Sequence, residues 1–511
     1  MVFLAFSLRF WRLDSLPSIL NRDEAALAYN AYLLQEVGQD EWGRSWPVAL
    51  ESFGDYKLIG YPASLVPLFS AFGAYDWVVR LPSALAGTTL VLLVFYLARQ
   101  LKLKEPADLF MAGLVAFSPV FVFFSRMAFE ANLALSYLVA AWLLVLLIKD
   151  QARRWHYLLL ALLLVSATLT YNTPLLLIPV LMVYAWLFFP KNSRKELLLT
   201  EGVLLIVLLG VGWLLLPILR QKSGITIFTD ETIWSQWIAW RSSLSGVWQN
   251  ILGNRYVYYL AIMGKNLAAS FSPQFLVTNG GSHPWHSLPG VGHIFAISYG
   301  LAAAGIAKLG QTVWLARKKL GEARQELGLL FLLFASLAPA VVTVDAPHAT
   351  RSLLFFVILQ VMAAIGAGAL VNLVKKQQQH TTWLLLRATI FISGVLFARQ
   401  LFANYPQQQQ ALQPGFDQLI QVADHQYPEQ KIAIVDPAGY HYVLLAWYLK
   451  FPPNEYFNTV VRQQPDQIGF RYGEQLGRYH FIGQAGDRSP EEKILIQWSP
   501  ASGGWQMESY E

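Results

Sequence analysis

The stretches L-V-L-L-V-F-Y-L-A at residues 90–98 and L-L-L-A-L-L-L-V-S-A-T-L at residues 158–169 contain no charged side chain. Similar runs recur along the 511-residue chain, which is 55% hydrophobic and only 14% charged. A soluble domain carries about 25% charged residues, so a water-soluble fold of this composition would leave apolar surface exposed to water. The solvent of most of the chain is therefore lipid, which excludes an intrinsically disordered chain and a soluble cytosolic enzyme.

Ten segments are apolar over roughly the 20 residues that a membrane-spanning helix needs. They lie near residues 81–99, 108–124, 129–148, 156–171, 174–190, 197–217, 291–313, 327–344, 352–374 and 382–402. The apolar residues Met1 to Phe6 are too few to cross a bilayer, and we expect them to be the end of a truncated first helix. The sequence thus predicts a polytopic α-helical membrane protein with about 10–11 transmembrane helices.

Lysine and arginine concentrate in every second connection between these segments. The basic connections contain Lys102 and Lys104; Lys149, Arg153 and Arg154; Lys191, Arg194 and Lys195; Arg317, Lys318, Lys319 and Arg324; and Lys375 and Lys376. Because cytoplasmic loops carry the excess of positive charge, these connections are predicted inside. Residues 10–79, 218–290, 344–351 and the tail from about 403 are then outside, where loop helices and the chemistry are expected. The net charge of +6 follows this topology and does not indicate nucleic-acid binding.

The tail differs in composition from the apolar part of the chain. K-I-A-I-V-D-P at 431–437 and I-L-I-Q-W at 494–498 are typical of buried strands, and Y-H-Y-V-L-L-A-W-Y-L-K-F at 440–451 is typical of a helix. We therefore predict a transmembrane domain at 1–402, with outer loops at 10–79 and 218–290, and a small α/β extracytoplasmic domain at 403–511. The chain has no Cys, which excludes disulfides and thiolate metal sites.

An acidic pair stands at the start of N-R-D-E-A-A-L-A-Y-N-A-Y-L-L, residues 21–34. Asn21 and Glu24 have the spacing of a capping box, and an apolar stripe follows that suits a membrane surface: Ala25, Tyr29, Tyr32 and Leu33. Asp23 gains only about 0.3–1 kcal/mol from the helix dipole. At the mouth of a membrane cavity, the Asp23 carboxylate is suited to accept a proton from a hydroxyl group.

Four motifs together resemble one group of bacterial enzymes. They are R-F-W-R-L-D-S-L-P at 9–17, the Asp23–Glu24 pair, F-G-D-Y-K-L at 53–58 and V-R-L-P-S-A-L at 79–85. The chain resembles the polyprenyl-phosphate-sugar-dependent glycosyltransferases of the C superfamily, nearest to the family 39 protein O-mannosyltransferases and the lipid A aminoarabinose transferase. The resemblance runs from residue 9 to about residue 400 and is strongest up to residue 135.

This resemblance implies an inverting glycosyltransferase, multi-pass in the bacterial plasma membrane, with its active site on the extracytoplasmic side. It implies Asp23 as the catalytic base, Glu24 as a contact of the acceptor or sugar, and Lys57 as a ligand of the lipid phosphate. In the aminoarabinose transferase branch an acidic residue precedes that lysine, whereas Tyr56 stands here with Asp55 one step earlier. This departure counts against the metal site of that branch.

S-R-M-A-F-E at residues 125–130 offers a second set of candidates. If the segment is helical, Arg126 and Glu130 lie on one face and form a local ion pair, which is the structural alternative to a catalytic role. The resemblance favours function, with Glu130 on acceptor or sugar hydroxyls and Arg126 on the lipid phosphate.

D-A-P-H-A-T-R at residues 345–351 is a short outer connection between two apolar segments. A charged side chain at such a boundary commonly snorkels toward water. We prefer phosphate binding by His348 and Arg351, because the planar guanidinium pairs with phosphate oxygens and the segment resembles a late outer loop of the family.

His283, His286 and His293 lie close together in G-G-S-H-P-W-H-S-L-P-G-V-G-H, residues 280–293, where the second long outer loop ends. Three histidines are compatible with zinc, but Pro and Gly interrupt the run and no helical ligand spacing is present, so no metal site is predicted. The resemblance makes His286 a substrate contact. No cofactor is predicted with certainty, and a divalent metal stays open.

The residue types suit transfer from a lipid-linked donor. Asp23 serves the attacking hydroxyl, while outer cations stabilise charge on the departing phosphate, which implies inversion at the sugar carbon. The phosphate leaves without protonation, so the second carboxylic acid of a glycosidase is not required. The expected partners are the polyprenyl-phosphate-linked sugar, an acceptor glycan, lipid or protein, and membrane lipids, with no nucleic acid. The alternatives are a transporter or lipid flippase, a membrane scaffold, and an oligosaccharide ligase with a pyrophosphate-linked donor.

Overall fold

The computed structural model describes residues 1–281, 283–466 and 469–510 and is mostly helical, as the apolar runs predict. The helices are α1 (Val2–Phe10), α2 (Arg22–Val37), α3 (Gly60–Phe72), α4 (Asp76–Gln100), α5 (Ala107–Phe117), α6 (Pro119–Phe123), α7 (Glu130–Gln151), α8 (Arg154–Thr170), α9 (Thr173–Phe188), α10 (Arg194–Lys222), α11 (Glu231–Ser243), α12 (Val247–Ile251), α13 (Arg255–Ser270), α14 (Ala296–Leu315), α15 (Arg324–Ala335), α16 (Ala338–Val341), α17 (Leu353–Val371), α18 (Lys376–Arg399), α19 (Phe416–Gln426), α20 (His441–Tyr448) and α21 (Pro453–Thr459). The strands are β1 (Ala49–Ser52), β2 (Asp55–Leu58), β3 (Lys431–Val435), β4 (Val461–Arg462), β5 (Gly473–Leu476), β6 (Tyr479–Ile482), β7 (Glu492–Ser499) and β8 (Gly504–Ser509).

The helices long and apolar enough to cross a membrane are fewer than the 10–11 predicted. Within the described residues there are six, at Asp76–Gln100, Glu130–Gln151, Arg194–Gln221, Leu320–Val341, Thr350–Val371 and Lys376–Gln408. A seventh span results if α5 and the segment Pro119–Arg126 count as one, despite a 56° bend between them. The bend follows from Pro119, which disfavours helical geometry at Ser118. α8 and α9 are apolar but only 17 and 16 residues long. The prediction of a multi-span membrane protein is confirmed in this coarser form.

The chain divides into two compact units. Unit 1 comprises Met1–Arg9, Ala86–Phe124 and Ala131–Ala398, and unit 2 comprises Phe10–Leu85, Ser125–Glu130 and Arg399–Glu511. Within unit 1, α14 and α17 cross where two glycines permit close backbone approach. A Cβ on Gly305 would come within 2.0 Å of the Met362 carbonyl oxygen, and one on Gly366 within 2.0 Å of the Leu301 oxygen. Such small residues allow membrane helices to pack tightly.

Unit 2 contains the C-terminal domain, whose sheet has the order β4-β5-β6-β3-β7-β8. The buried strand β3 runs parallel to β6 and β7, and the other neighbouring strands are antiparallel. The strands predicted at 431–437 and 494–498 are confirmed as β3 and β7, and the helix predicted at 440–451 as α20. The structure adds four strands that the sequence analysis did not identify.

The first long loop folds within unit 2 as α2, the antiparallel hairpin β1–β2 and α3. The apolar stripe of α2 was expected at a membrane surface, and this expectation is wrong for most of it. Ala25, Tyr29 and Leu33 are fully buried, and α2 packs against α3 and α20. The Tyr29 hydroxyl donates to the Phe451 carbonyl oxygen at 3.0 Å. The C-terminal domain therefore provides the apolar partner that the stripe requires.

Candidate active site

The Asn21 side chain fixes the start of α2. Its Oδ1 accepts hydrogen bonds from the backbone nitrogens of Asp23 and Glu24 at 2.9 and 3.0 Å. Glu24 Oε2 in turn accepts from the Asn21 backbone nitrogen at 3.0 Å, so the predicted capping box is confirmed. This arrangement places Asp23 in the first turn of the helix.

Lys57 lies between two carboxylates. Its Nζ donates to Asp23 Oδ1 at 2.9 Å and lies 2.8 Å from Asp55 Oδ2. Lys57 and Asp55 are on β2, so the pairing joins the hairpin to the first turn of α2. The Asp23 side chain is 23% exposed and remains accessible, whereas that of Lys57 is 10% exposed.

The charges around this pair keep both groups ionised. Burial raises the pKa of Asp23, but the positive charges of Lys57 and Arg22 and the hydrogen bond from Lys57 bring it below its ordinary value. Burial lowers the pKa of Lys57, and the negative charges of Asp23, Asp55 and Glu130 raise it well above its ordinary value. Asp23 is therefore a carboxylate at neutral pH, as a proton acceptor must be.

Glu24 is 1% exposed, and its oxygens bind protein groups. Oε1 accepts from Arg80 Nε at 3.1 Å and from the Ala128 backbone nitrogen at 2.7 Å. The same guanidinium also donates to three carbonyl oxygens of the first loop, those of Leu13, Pro17 and Ile19. Arg80 was part of a quoted motif, but sequence reasoning gave it no role because its partner is 56 residues away. The acceptor contact expected of Glu24 stays a prediction.

Arg126 and Glu130 do not lie on one helix, so the intrahelical arrangement considered as the alternative to a catalytic role is not formed. Arg126 ends a short 3₁₀ turn and Glu130 begins α7, with non-helical residues between them. Arg126 is fully buried, and its Nη2 donates to the carbonyl oxygens of Leu16 at 2.7 Å and Arg12 at 3.0 Å. Glu130 is 9% exposed. The roles given to both residues stay predictions.

Glu41 is a buried carboxylate that sequence reasoning missed. It is 1% exposed, and its Oε1 accepts from Asn30 Nδ2 on α2 at 2.7 Å and from the Ser52 hydroxyl on β1. The hydroxyls of two C-terminal residues, Tyr442 and Tyr456, donate to Oε2 at 3.2 and 3.0 Å. Glu41 thus connects the helix that carries Asp23 and the hairpin that carries Lys57 with the C-terminal domain.

A second contact fixes the tip of the hairpin. The Phe53 backbone nitrogen donates to the Tyr442 hydroxyl at 2.9 Å, and the Arg471 nitrogen donates to the Phe53 carbonyl oxygen at 3.1 Å. Gly54, with φ of +82°, approaches the Gly469 carbonyl oxygen so closely that a Cβ would lie 2.4 Å from it. The backbone of the C-terminal domain therefore holds the turn that precedes Lys57.

The candidates His286, His348 and Arg351 lie in unit 1. Arg351 pairs with Asp345 and donates to Thr343 Oγ1 at 2.9 Å. The His348 ring lies 4.8 Å from the His286 ring, and the His286 ring stacks on the His283 ring at 4.0 Å. The arrangement brings three imidazoles and one guanidinium together in a single cluster.

The imidazoles of His286 and His348 are neutral near pH 7. Burial, together with neighbouring histidines and Arg351, lowers the pKa of His286 well below its ordinary value. Burial and the charge of Arg351 lower the pKa of His348 to about 3, although the Asp345 carboxylate lies 3.5 Å away. Arg351 is therefore the cation of this cluster, and the histidines can donate and accept hydrogen bonds. Among the described residues, no three His, Asp or Glu side chains are arranged to hold a metal ion.

Comparison with known proteins supports the family resemblance. The family described as dolichyl-phosphate-mannose-protein mannosyltransferase matches residues 63–219. The structure is similar to ArnT from Cupriavidus metallidurans bound to undecaprenyl phosphate, with a TM-score of 0.52 and 15% identity over 88% of this chain and 84% of that one. It is also similar to the oligosaccharyltransferase AglB from Archaeoglobus fulgidus in complex with an inhibitory peptide and a dolichol-phosphate, with a TM-score of 0.53 and 12% identity over 100% and 73% of the two chains. No curated protein sequence matches the chain.

A further structure of the Archaeoglobus fulgidus oligosaccharyltransferase, tethered to an acceptor peptide, gives a TM-score of 0.53 at 14% identity. The match covers 88% of this chain but only 62% of that enzyme. At these identities the solved structures establish a common fold. The family match and the shared fold confirm the resemblance to C-superfamily glycosyltransferases that the first 135 residues predict.

Proposed function

We propose that this protein is an inverting glycosyltransferase that moves a sugar from polyprenyl phosphate to an acceptor hydroxyl on the extracytoplasmic face of the bacterial plasma membrane. The observation that carries the proposal is the partly exposed, ionised Asp23 held 2.9 Å from Lys57. A base and a cation at one site are the two groups that displacement of a phosphate by a hydroxyl needs.

In the proposed reaction the acceptor oxygen attacks the anomeric carbon while the bond from that carbon to the phosphate oxygen breaks. The hydroxyl proton passes to an oxygen of Asp23, and the phosphate leaves with the bonding electron pair. Attack opposite the leaving phosphate inverts the anomeric centre. A lipid phosphate needs no proton in order to leave, so one carboxylate is sufficient.

Lys57 links donor binding to the strength of the base. Without donor, its charge is neutralised by Asp23 and Asp55. A phosphate beside Lys57 competes with these carboxylates, and each weakening of the contact between Lys57 and Asp23 raises the pKa of Asp23 toward that of a stronger base. The arrangement therefore activates Asp23 when the donor arrives.

The remaining candidates are assigned by chemistry. Arg351 is suited to a phosphate oxygen once it turns from Asp345, and neutral His348 and His286 are suited to the phosphate and to sugar hydroxyls. Glu130 keeps the acceptor or sugar contact and Arg126 the lipid phosphate, as the sequence resemblance implies, whereas both oxygens of Glu24 already bind Arg80 and backbone nitrogens. Undecaprenyl phosphate and dolichol-phosphate in the similar solved structures support a lipid-linked donor.

A second candidate is an oligosaccharide ligase with a pyrophosphate-linked donor, favoured by the structural similarity to oligosaccharyltransferases. The leaving group distinguishes the two candidates, because the proposed glycosyltransferase releases polyprenyl phosphate and the ligase releases polyprenyl pyrophosphate. Purified protein is incubated with an envelope extract and either polyprenyl-phosphate hexoses or pyrophosphate-linked glycans. Release of polyprenyl phosphate, abolished by Asp23→Asn, is the expected result. No release from folded protein with either donor class would refute a transferase and favour the transporter.

A further inference from the structure

A cavity of about 790 Å³ lies within unit 1, between the connection from α4 to α5 and the helices α14, α17 and α18. Four cationic side chains line it: Lys102, Lys104, Lys308 and Arg387. His380 adds a fifth nitrogen group, and Glu105 is the carboxylate among the lining residues. The lining therefore carries a formal excess of positive charge.

These cations are available to a ligand. All four are exposed, and none forms an ion pair with a carboxylate in the part of the chain that the structure describes. By contrast, Arg80 pairs with Glu24 and Lys57 pairs with Asp23. Four like charges around one void repel each other, so an anion between them lowers the electrostatic energy.

Two of the four cations belong to apolar helices. Arg387 lies about three turns after the start of α18, which is part of a membrane-spanning segment, and Lys308 lies about two turns before the end of α14. Ionisable side chains in such helices are costly, and their presence points to a binding role. Both face the same cavity.

Most of the other residues that line the cavity are apolar, with Asn372 and Gln379 as polar exceptions. They include the α17 residues Ala364 and Gly368 and the α18 residues Trp383 and Leu384. A Cβ on Gly368 would meet no atom within 4 Å, which shows that this wall opens onto free space. Cations beside an apolar, membrane-level wall match the two halves of a phospholipid, a phosphate headgroup and acyl chains.

We propose that this cavity binds the phosphate group of an anionic membrane lipid, with Lys308 and Arg387 on the phosphate and the α17–α18 wall against the acyl chains. The basic connection containing Lys102 and Lys104 is predicted inside, where anionic lipids attract basic segments. Binding of such a lipid needs no sugar donor.

Binding of short-chain phosphatidylglycerol to the full-length protein in neutral detergent tests the proposal, measured by native mass spectrometry. Phosphatidylcholine and inorganic phosphate are the comparison ligands. We expect phosphatidylglycerol to bind more tightly than phosphatidylcholine, and Arg387→Gln and Lys308→Gln each to weaken binding by about fivefold, the effect of one cation near an anionic headgroup. If inorganic phosphate competes with phosphatidylglycerol at similar concentration, the cavity recognises the phosphate group alone. If it does not compete, the acyl chains also contribute to binding.

Arg194→Gln is the matched control, since Arg194 is an exposed arginine on a connection predicted inside that does not line the cavity. Its affinity should stay within about twofold of the wild type, as for a surface charge outside the site. If Arg387→Gln does not fold, Lys104→Gln at the exposed connection replaces it. Equal binding of phosphatidylglycerol and phosphatidylcholine, or equal effects of the cavity and control variants, would overturn the proposal.

Discussion

Asp23 and Glu24 are adjacent carboxylates, and the structure predicts different results when each is replaced by the corresponding amide. Asp23→Asn removes the proton acceptor but leaves Lys57 with Asp55 at 2.8 Å. Glu24→Gln removes the charge that faces the fully buried Arg80 at 3.1 Å. The first substitution should therefore affect turnover, and the second mainly stability.

The magnitudes follow from these environments. Loss of a general base lowers turnover by at least about 100-fold. Asp23→Asn also removes one of the two carboxylate partners of Lys57. Because the Asp23 side chain is 23% exposed, this loss lowers the free energy of unfolding by only about 1 kcal/mol. An unpaired guanidinium in the interior costs about 3–5 kcal/mol, so Glu24→Gln should reduce the folded fraction much more than Asp23→Asn.

Turnover is followed as release of polyprenyl phosphate, and stability as the unfolding midpoint in detergent. Asp14→Asn is the control, since Asp14 is an exposed carboxylate of the same loop whose side chain contacts Ser15. Equal destabilisation by both amide substitutions, with turnover that follows the folded fraction in each, would refute the assignment of Asp23 as base. A 100-fold loss in folded Glu24→Gln protein would instead place Glu24 on the substrate.

Three further predictions concern Asp23, Lys57 and the residues proposed to act with them. Tyr442→Phe removes the hydroxyl that bridges the Phe53 nitrogen and Glu41. The substitution should lower the free energy of unfolding by about 1–3 kcal/mol and increase hydrogen exchange at the β1–β2 turn. Unchanged exchange at this turn would contradict the conclusion that the C-terminal domain holds it. Lys57→Met should lower turnover by about 100-fold and shift the acid limb of the pH–activity profile to higher pH, because the charge that lowers the pKa of Asp23 is lost. An acid limb at the wild-type pH would argue against Lys57 as the partner of Asp23. The pKa of His348 is lowered to about 3 in the folded protein, so the stability that this histidine contributes is complete above its unfolded pKa of about 6.5 and is lost as the pH falls below that value. In thermal unfolding, His348→Asn should therefore lose less stability than the wild type between pH 7 and 4. An identical slope of stability against pH in the two proteins would refute this assignment.

The sequence predicts those features that depend on near neighbours in the chain. The capping box of α2 follows from a spacing of three residues, and the strand at Lys431–Val435 from a short apolar run. The resemblance to glycosyltransferases follows from local motifs as well. The break at Ser118 was missed because the apolar run continues through it, although Pro119 is a local signal of a bend.

The features that the sequence does not predict depend on distant partners. Glu41 gave no signal in its own stretch, because its hydroxyl partners Tyr442 and Tyr456 are 401 and 415 residues away. The α2 stripe was assigned to a membrane surface for the same reason, since an apolar face shows only that a partner exists and not which one. The burial of Arg126 by backbone carbonyls is likewise a result of tertiary packing.

The connection between Glu41 and the C-terminal tyrosines has a consequence for biogenesis. A ribosome adds about 5–20 residues per second, so the first loop emerges at least about 20 s before Tyr442 does. During this interval Glu41 is without the two hydroxyls that it binds in the finished protein. The geometry around Asp23 and Lys57 is therefore completed only once Tyr442 and Tyr456 have been synthesised, by closure of a very long chain segment, which is a slow step. A chain that ends before these tyrosines lacks the contacts that hold the hairpin, and the order of synthesis itself delays activity until the C-terminal domain has folded.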